Sequence, residues 1–166
     1  MKIQNRTISN KNPFIVAEIS GNHNGSFSLL KKTIIAAKNC NVDAVKLQSY
    51  SPSDLTLNVK KKNFLIKNLN NKWKNSYLYE IYKKGQTSFK WHKKIFDFCK
   101  KQKIICFSSP FSEEIVDKLE KLNCPAYKIA SLEITNINLL KKVAKTRKPV
   151  IISCGASTLR EIMNAV

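Results

Sequence analysis

Glycine and proline are scarce, four and five in 166 residues, so collagen-like repeats and Gly/Pro-rich linker chains are excluded. No apolar run approaches the roughly 18 residues that cross a bilayer. The opening MKIQNRTISNKNPF carries no apolar segment of a secretory signal, so a cytoplasmic protein with no membrane partner is expected. Histidine occurs only at His23 and His92, and Cys40, Cys99, Cys106, Cys124 and Cys154 form neither CxxC nor CxxH. A structural zinc site needs four ligands at motif spacing, so none is expected, and the cysteines read as reduced core thiols.

Acidic side chains are also few, 11 against 30 Lys+Arg, a formal net charge of +19. Such a balance ordinarily points to nucleic acid, anionic membranes or anionic substrates. Arginine, the side chain suited to planar phosphate and base recognition, is limited to Arg6, Arg147 and Arg160. The excess is lysine, accompanied by 17 Asn and 18 Ile, all encoded by A/T-rich codons. Base composition therefore explains much of the charge, and no specific nucleic-acid partner is expected.

What is present is a folding composition, 43% apolar and 25% charged, in a chain shorter than the ~250 residues of a closed α/β barrel. Short apolar runs alternate with longer amphipathic ones, the pattern of βα units on a parallel sheet. Candidate strands are FIVAEIS from Phe14, DAVKLQ from Asp43, IICFSS from Ile104, AYKIAS from Ala126 and PVIIS from Pro149. Candidate helices run from Phe27 to Asn39, Phe89 to Lys101, Glu113 to Leu122, Ile137 to Thr146, and from Thr158 onward. Nearly forty residues, Ser49 to Ser88, interrupt this rhythm. A loop that long is functional or carries its own elements. Its aromatics Trp73, Tyr77, Tyr79 and Tyr82, with Trp91 beyond, either pack it onto the domain or cover a substrate. The final helix begins at a Thr cap and stops without a C-cap, so the chain reads as ending inside a unit.

Parallel α/β sheets place their active sites at the carboxyl ends of the strands. All five candidate strands end in polar groups: Glu18 and Ser20; Lys46 and Gln48; Ser108 and Ser109; Lys128 and Ser131, followed by Glu133; and Ser153. Lys46 and Gln48 are two apart and share a face, and an inward lysine between Val45 and Leu47 requires an anion or a carboxylate. Together these residues describe an anion pocket flanked by acid/base groups, suited to phosphate or carboxylate. Taken singly they have plainer readings: Glu18 and Lys46 as a pair, and Ser109, Ser131 and Ser153 as caps or turn formers. His23, in the turn SGNHNG, is read as capping that loop, and His92, among lysines, is assigned no role.

In order and spacing, AEISGNHNG, AVKLQSY, FSSPFSEEIVDKLE, AYKIASLEITN and KPVIISCGAS resemble the N-acetylneuraminate synthase family, and LYEIYKKGQTSFKWHKKIF resembles its pseudaminate synthase branch. The resemblance implies a (β/α)8 TIM-barrel type of fold, truncated here after about five βα units, residues 1–166 being its N-terminal portion. It implies condensation of phosphoenolpyruvate with an N-acetylated amino-sugar aldehyde, releasing phosphate and forming a nonulosonic acid. Carried over residue by residue, Lys46, Ser109, Lys128, Ser131 and Ser153 would hold phosphoenolpyruvate, with Gln48 beside them. Glu18 and Glu133 would contact sugar hydroxyls or move protons. Leu132 stands where the family commonly has a small residue. A divalent metal, Mn²⁺ or Mg²⁺, is implied, but its histidine ligands and an antifreeze-like domain would lie beyond Val166. The chain is therefore expected to be inactive alone, completed by another chain or in a homodimer. Two other readings are a degenerate fragment that only binds an anion, and a basic nucleic-acid or surface-binding module.

Overall fold

The computed structural model describes residues 1–67 and 72–166; residues 68–71 of the Ser49–Ser88 excursion lie outside them. A small antiparallel hairpin, β1 (Lys2–Ile3) and β2 (Arg6–Thr7), precedes a five-stranded parallel sheet. The sheet strands are β3 (Val16–Glu18), β4 (Ala44–Ser49), β5 (Ile105–Pro110), β6 (Tyr127–Ile129) and β7 (Val150–Ile152), hydrogen-bonded in strict sequence order. Sequential order is that of a (β/α) barrel wall; a doubly wound sheet reverses direction at a switch point. Every predicted sheet strand is present, although β3, β6 and β7 shrink to three residues.

The helices are α1 (Phe27–Asn39), α2 (Pro52–Leu55), α3 (Leu78–Gly85), α4 (Phe89–Lys101), α5 (Glu113–Glu120), α6 (Ile137–Lys145) and α7 (Leu159–Ala165). Among the described residues none is long and apolar enough to cross a membrane. Ser26 starts α1 by accepting the Leu29 N–H at 3.2 Å, and Asn136 does the same for α6 with Leu139. Thr158 and Glu161 form a reciprocal capping box at α7. Just past α1, α4, α5 and α6 come Asn41, Lys103, Asn123 and Arg147, all with φ of 56–57°. Each helix thus turns back toward its next strand through a left-handed residue without glycine, which costs roughly 1 kcal/mol apiece when the residue is Lys or Arg.

Two apolar clusters hold the layers together. Leu30, Ile34, Val45, Leu47, Ile95 and Cys106 join α1 and α4 to β4 and β5. Phe107, Ile115, Leu119, Tyr127, Leu139 and Val143 join α5 and α6 to β5 and β6, and the fully buried Ile3 belongs to this cluster. The hairpin is pinned by Arg6 Nε donating to Asp43 Oδ1 at 2.6 Å, while the Ile15 N–H donates to Asp43 Oδ2 at 2.8 Å. The Arg6 hydrogen bond, then the backbone one, holds the Asp43 pKa below the usual carboxylate value. Strands of two residues show no alternation, which is why the sequence carried no signal for this hairpin.

Two sequence readings are revised by the structure. His92, assigned no role among its lysines, is fully buried and hydrogen-bonded on both ring nitrogens. Its Nδ1 donates to the Ser88 carbonyl at 3.1 Å, leaving Nε2 to accept from Ser49 Oγ at 2.7 Å, and Ser49 in turn meets Ser108 Oγ at 2.6 Å. The second concerns the cysteines, of which Cys99, Cys106 and Cys124 are buried but Cys40 and Cys154 are exposed. Leu132 is 80% exposed on a short turn, so its bulk meets no packing constraint.

Candidate functional site

Strand register decides which polar side chains share a face. Glu18 pairs with Lys46, Lys46 with Phe107, and Gln48 with Ser109. Ser108 pairs with Tyr127, which sets Ser109 beside Lys128 on the opposite face. Lys46 Nζ donates to Glu18 Oε1 at 2.7 Å; the lysine side chain is 6% exposed and the glutamate 51%. One half-solvated carboxylate is thus the ion-pair partner of a buried ammonium. Lys128 stands close enough that burial first, and the Lys46 charge second, lower its pKa below the ordinary lysine value, with Glu18 acting the other way. Two like charges near each other repel, and an anion between them would relieve that repulsion.

The hydroxyls divide in role. Ser109 Oγ is buried and has no hydrogen-bond partner among the described residues, a donor left over beside Lys128. Ser131 Oγ accepts the Gly155 N–H at 3.3 Å and ties the turn after β6 to the turn after β7. Ser153 is half-buried directly after β7, its N–H donating to the Ile129 carbonyl at 3.1 Å. Gln48 Oε1 accepts from Ser20 Oγ at 2.8 Å, and Ser20 adopts a left-handed φ of 52° just after β3. Glu133 is set apart from this group: its carboxylate accepts from Asn136 Nδ2 at 3.3 Å, within the turn that starts α6. Lys46, Glu18, Lys128 and Ser109 therefore gather along the sheet, Gln48 joins them through its register with Ser109, and Glu133 is tied to its own helix cap.

Beside Gln48, on the β3 side, lies a cavity of about 720 Å³. Its walls include Ser20, Gln48, Tyr50, Trp73 and Tyr82, together with the loop Gly21–Gly25. The excursion supplies one side of it through α3. Tyr50 O–H donates to the Tyr82 carbonyl at 3.2 Å, and the two rings meet edge to face. A Cβ on Gly21 would stand 2.9 Å from the Gly85 carbonyl oxygen, so the two backbones touch without room for a side chain. Gly21→Ala is accordingly expected to lower stability by about 1–3 kcal/mol in urea unfolding and to displace α3. Gly155→Ala, whose Cβ would meet only Ser131 Oγ at 3.7 Å, serves as the near-neutral control.

His23 is fully buried in that loop. Its Nδ1 accepts the Gly25 N–H at 3.1 Å and Nε2 therefore donates to Thr87 Oγ1 at 3.2 Å, so it caps the loop and ties it to the start of α4. Trp91 packs edge-on to His23 and against Phe27, whereas Trp73 lines the cavity, so the aromatics of this region serve both packing and cavity walls. Tyr50 carries site geometry that sequence reasoning passed over; it lies two residues after the strand-end position Gln48. Among the described residues no three of His, Cys, Asp and Glu converge on a point where a cation would be held. The donor set of this chain does not fit a complete Mn²⁺ or Mg²⁺ site, and no chemical step is routed through one.

A family profile described as the NeuB family matches residues 33–166. Pseudaminic acid synthase of Helicobacter pylori is 45% identical over 154 residues, 93% of this chain and 45% of that protein. N,N'-diacetyllegionaminic acid synthase of Campylobacter jejuni is 36% identical over 157 residues, 94% of this chain and 46% of that protein. Among solved structures, N-acetylneuraminic acid synthetase from Leptospira borgpetersenii, in complex with citrate, superposes with a TM-score of 0.83 at 26% identity. That match covers 99% of this chain and 53% of the other. The chain spans about half the length of the relatives it matches.

Proposed function

Because this chain belongs to the NeuB family, we propose that it forms the phosphoenolpyruvate-binding part of a nonulosonic acid synthase, of the pseudaminate type. The observation that carries the reading is the buried Lys46 beside Lys128 and the unpartnered Ser109 hydroxyl. Those groups suit a ligand carrying both a phosphate and a carboxylate. In the proposed reaction C3 of phosphoenolpyruvate attacks the aldehyde carbon of an N-acetylated amino sugar and a new C–C bond forms. Water adds at C2, the aldehyde oxygen takes up a proton, and phosphate leaves. Lys46, Lys128, Ser109, Ser131 and Ser153 orient phosphate and carboxylate, and Gln48 lies between the two reactants. Glu18, half-solvated and paired with Lys46, is positioned to take or give the proton as the alkoxide forms. Glu133 reaches the sugar only after exchanging its bond to Asn136.

On this reading residues 1–166 are the N-terminal portion of the barrel. The remaining strands, the antifreeze-like domain and the histidines for the family's divalent metal come from further sequence or another chain, and the 166 residues alone do not turn over. Cytoplasmic phosphoenolpyruvate sets the compartment. Calorimetric titration with phosphoenolpyruvate at low and physiological salt tests the binding half of the proposal. Saturable binding that survives salt and weakens at least tenfold in Lys128→Ala is the expected result. Heat that vanishes with salt and ignores the mutation would leave only nonspecific attraction to a basic chain. The lowered Lys128 pKa also predicts that binding declines as pH rises, beginning before an ordinary lysine would lose its proton, since the ammonium must be charged to hold the anion.

A further inference from the structure

The cavity beside Gln48 has two chemically distinct sides. One carries the Ser20 hydroxyl, the Gln48 carboxamide, Asn22 and Asn24; the other carries Trp73, Ile81 and Tyr82. Directional polar groups facing aromatic and aliphatic surface suit a hydroxylated ring with an acyl amide, its hydroxyls on the polar side and its C–H edges and methyl on the rings. Lys72, Lys83 and Lys84 also border the cavity but are exposed, and Lys72 Nζ lies over the Trp73 ring at 5.1 Å. Lys46 precedes Gln48 by two residues on β4, and Ser109 and Lys128 lie on its far side, on β5 and β6, so a charged and a neutral ligand have separate places. Neighbouring strands are roughly 4.8 Å apart, which brings two such ligands within reach of each other.

Resting on the proposed synthase function, we infer that Trp73 and Tyr82 form the wall that reads the acylamino substituent of the acceptor sugar, making them specificity-determining residues. Their placement is built in. The Tyr50 hydrogen bond and the edge-to-face Tyr50 ring hold Tyr82 against β4, and the Gly21–Gly85 backbone contact holds the end of α3 against the loop after β3.

The test uses the 166-residue chain with Trp91→Phe, so that tryptophan emission reports Trp73. N-acetylmannosamine is the probe, mannose the analogue without the acetamide, and phosphoenolpyruvate binding is followed in parallel by calorimetry. The expected result is a saturable emission change with N-acetylmannosamine and at least tenfold weaker binding of mannose. Tyr82→Leu should weaken the acetamido sugar at least tenfold while changing phosphoenolpyruvate affinity less than twofold. Should Tyr82→Leu fail to fold by circular dichroism, Trp73→Leu carries the same expectation by calorimetry. Normal phosphoenolpyruvate binding with no sugar binding, or with sugar binding indifferent to the folded variants, overturns this inference and leaves the synthase reading intact. Failure of both ligands to bind overturns both.

Discussion

Lys46→Met is expected to weaken phosphoenolpyruvate binding by two orders of magnitude or more while leaving the fold at least as stable as before. The two effects have one cause. Lys46 is 5% exposed, paired with a Glu18 side chain that is itself 51% exposed, and stands close to the Lys128 charge. A buried ammonium with one half-solvated partner recovers little of its desolvation energy, and replacing it with an apolar side chain of similar length is neutral or stabilising. The Glu18 carboxylate left behind faces water, so it is not stranded as a buried partner would be. A gain of about 1 kcal/mol in urea unfolding is the expected size. The binding loss follows because the bound anion is the group that would have compensated both lysines; with one removed, a charge-assisted contact disappears from a low-dielectric site. Calorimetry and urea melts on the same preparation decide it. A variant that binds normally would show that Lys46 serves only as the partner of Glu18.

Acid is expected to destabilise the protein well above the carboxylate range, by roughly 3 kcal/mol between about pH 6.5 and pH 4. Burial lowers the His92 pKa from 6.5 to about 4; the Ser88 carbonyl opposes this and the nearby Lys118 charge adds to it. The folded state therefore keeps the ring neutral at pH values where the unfolded chain binds a proton. Stability is fully present above pH 6.5, falls as pH drops toward 4, and levels off below that as far as this group is concerned. His23, also lowered by burial, acts in the same direction. Asp43, whose pKa is held below 3.8 chiefly by Arg6, contributes only at more acid pH. Urea midpoints measured from pH 7.5 to 4 should fall, and His92→Gln should flatten most of that slope while lowering stability at pH 7.5. A slope unchanged in His92→Gln would place the acid sensitivity elsewhere.

These expectations draw on different levels of description. Apolar runs such as AVKLQ and IICFS, separated by helices with one apolar face, were enough to order five strands in a parallel sheet. Burial on both faces of a strand and on one face of a helix writes itself into residue type. The polar strand ends marked Glu18, Lys46, Gln48, Ser109 and Lys128 for the same reason, since a lysine among Val45 and Leu47 is costly unless something meets it. Register then showed what adjacency in sequence does not carry: Glu18 on Lys46, Ser109 beside Lys128, and Glu133 turned to Asn136.

The α1 and α4 boundaries and the βα order were determined by sequence alone, because hydrophobic period and cap chemistry are local properties. Tertiary structure alone decided that the β1–β2 hairpin contributes Ile3 to the core, that His92 is buried against Ser49, and that Trp73 and Tyr82 wall a cavity. Each of these depends on segments tens of residues apart meeting in space, such as Gly21 against Gly85 or Tyr50 against Tyr82. A hydrogen bond or a steric contact of that kind leaves no periodic trace in the chain that makes it.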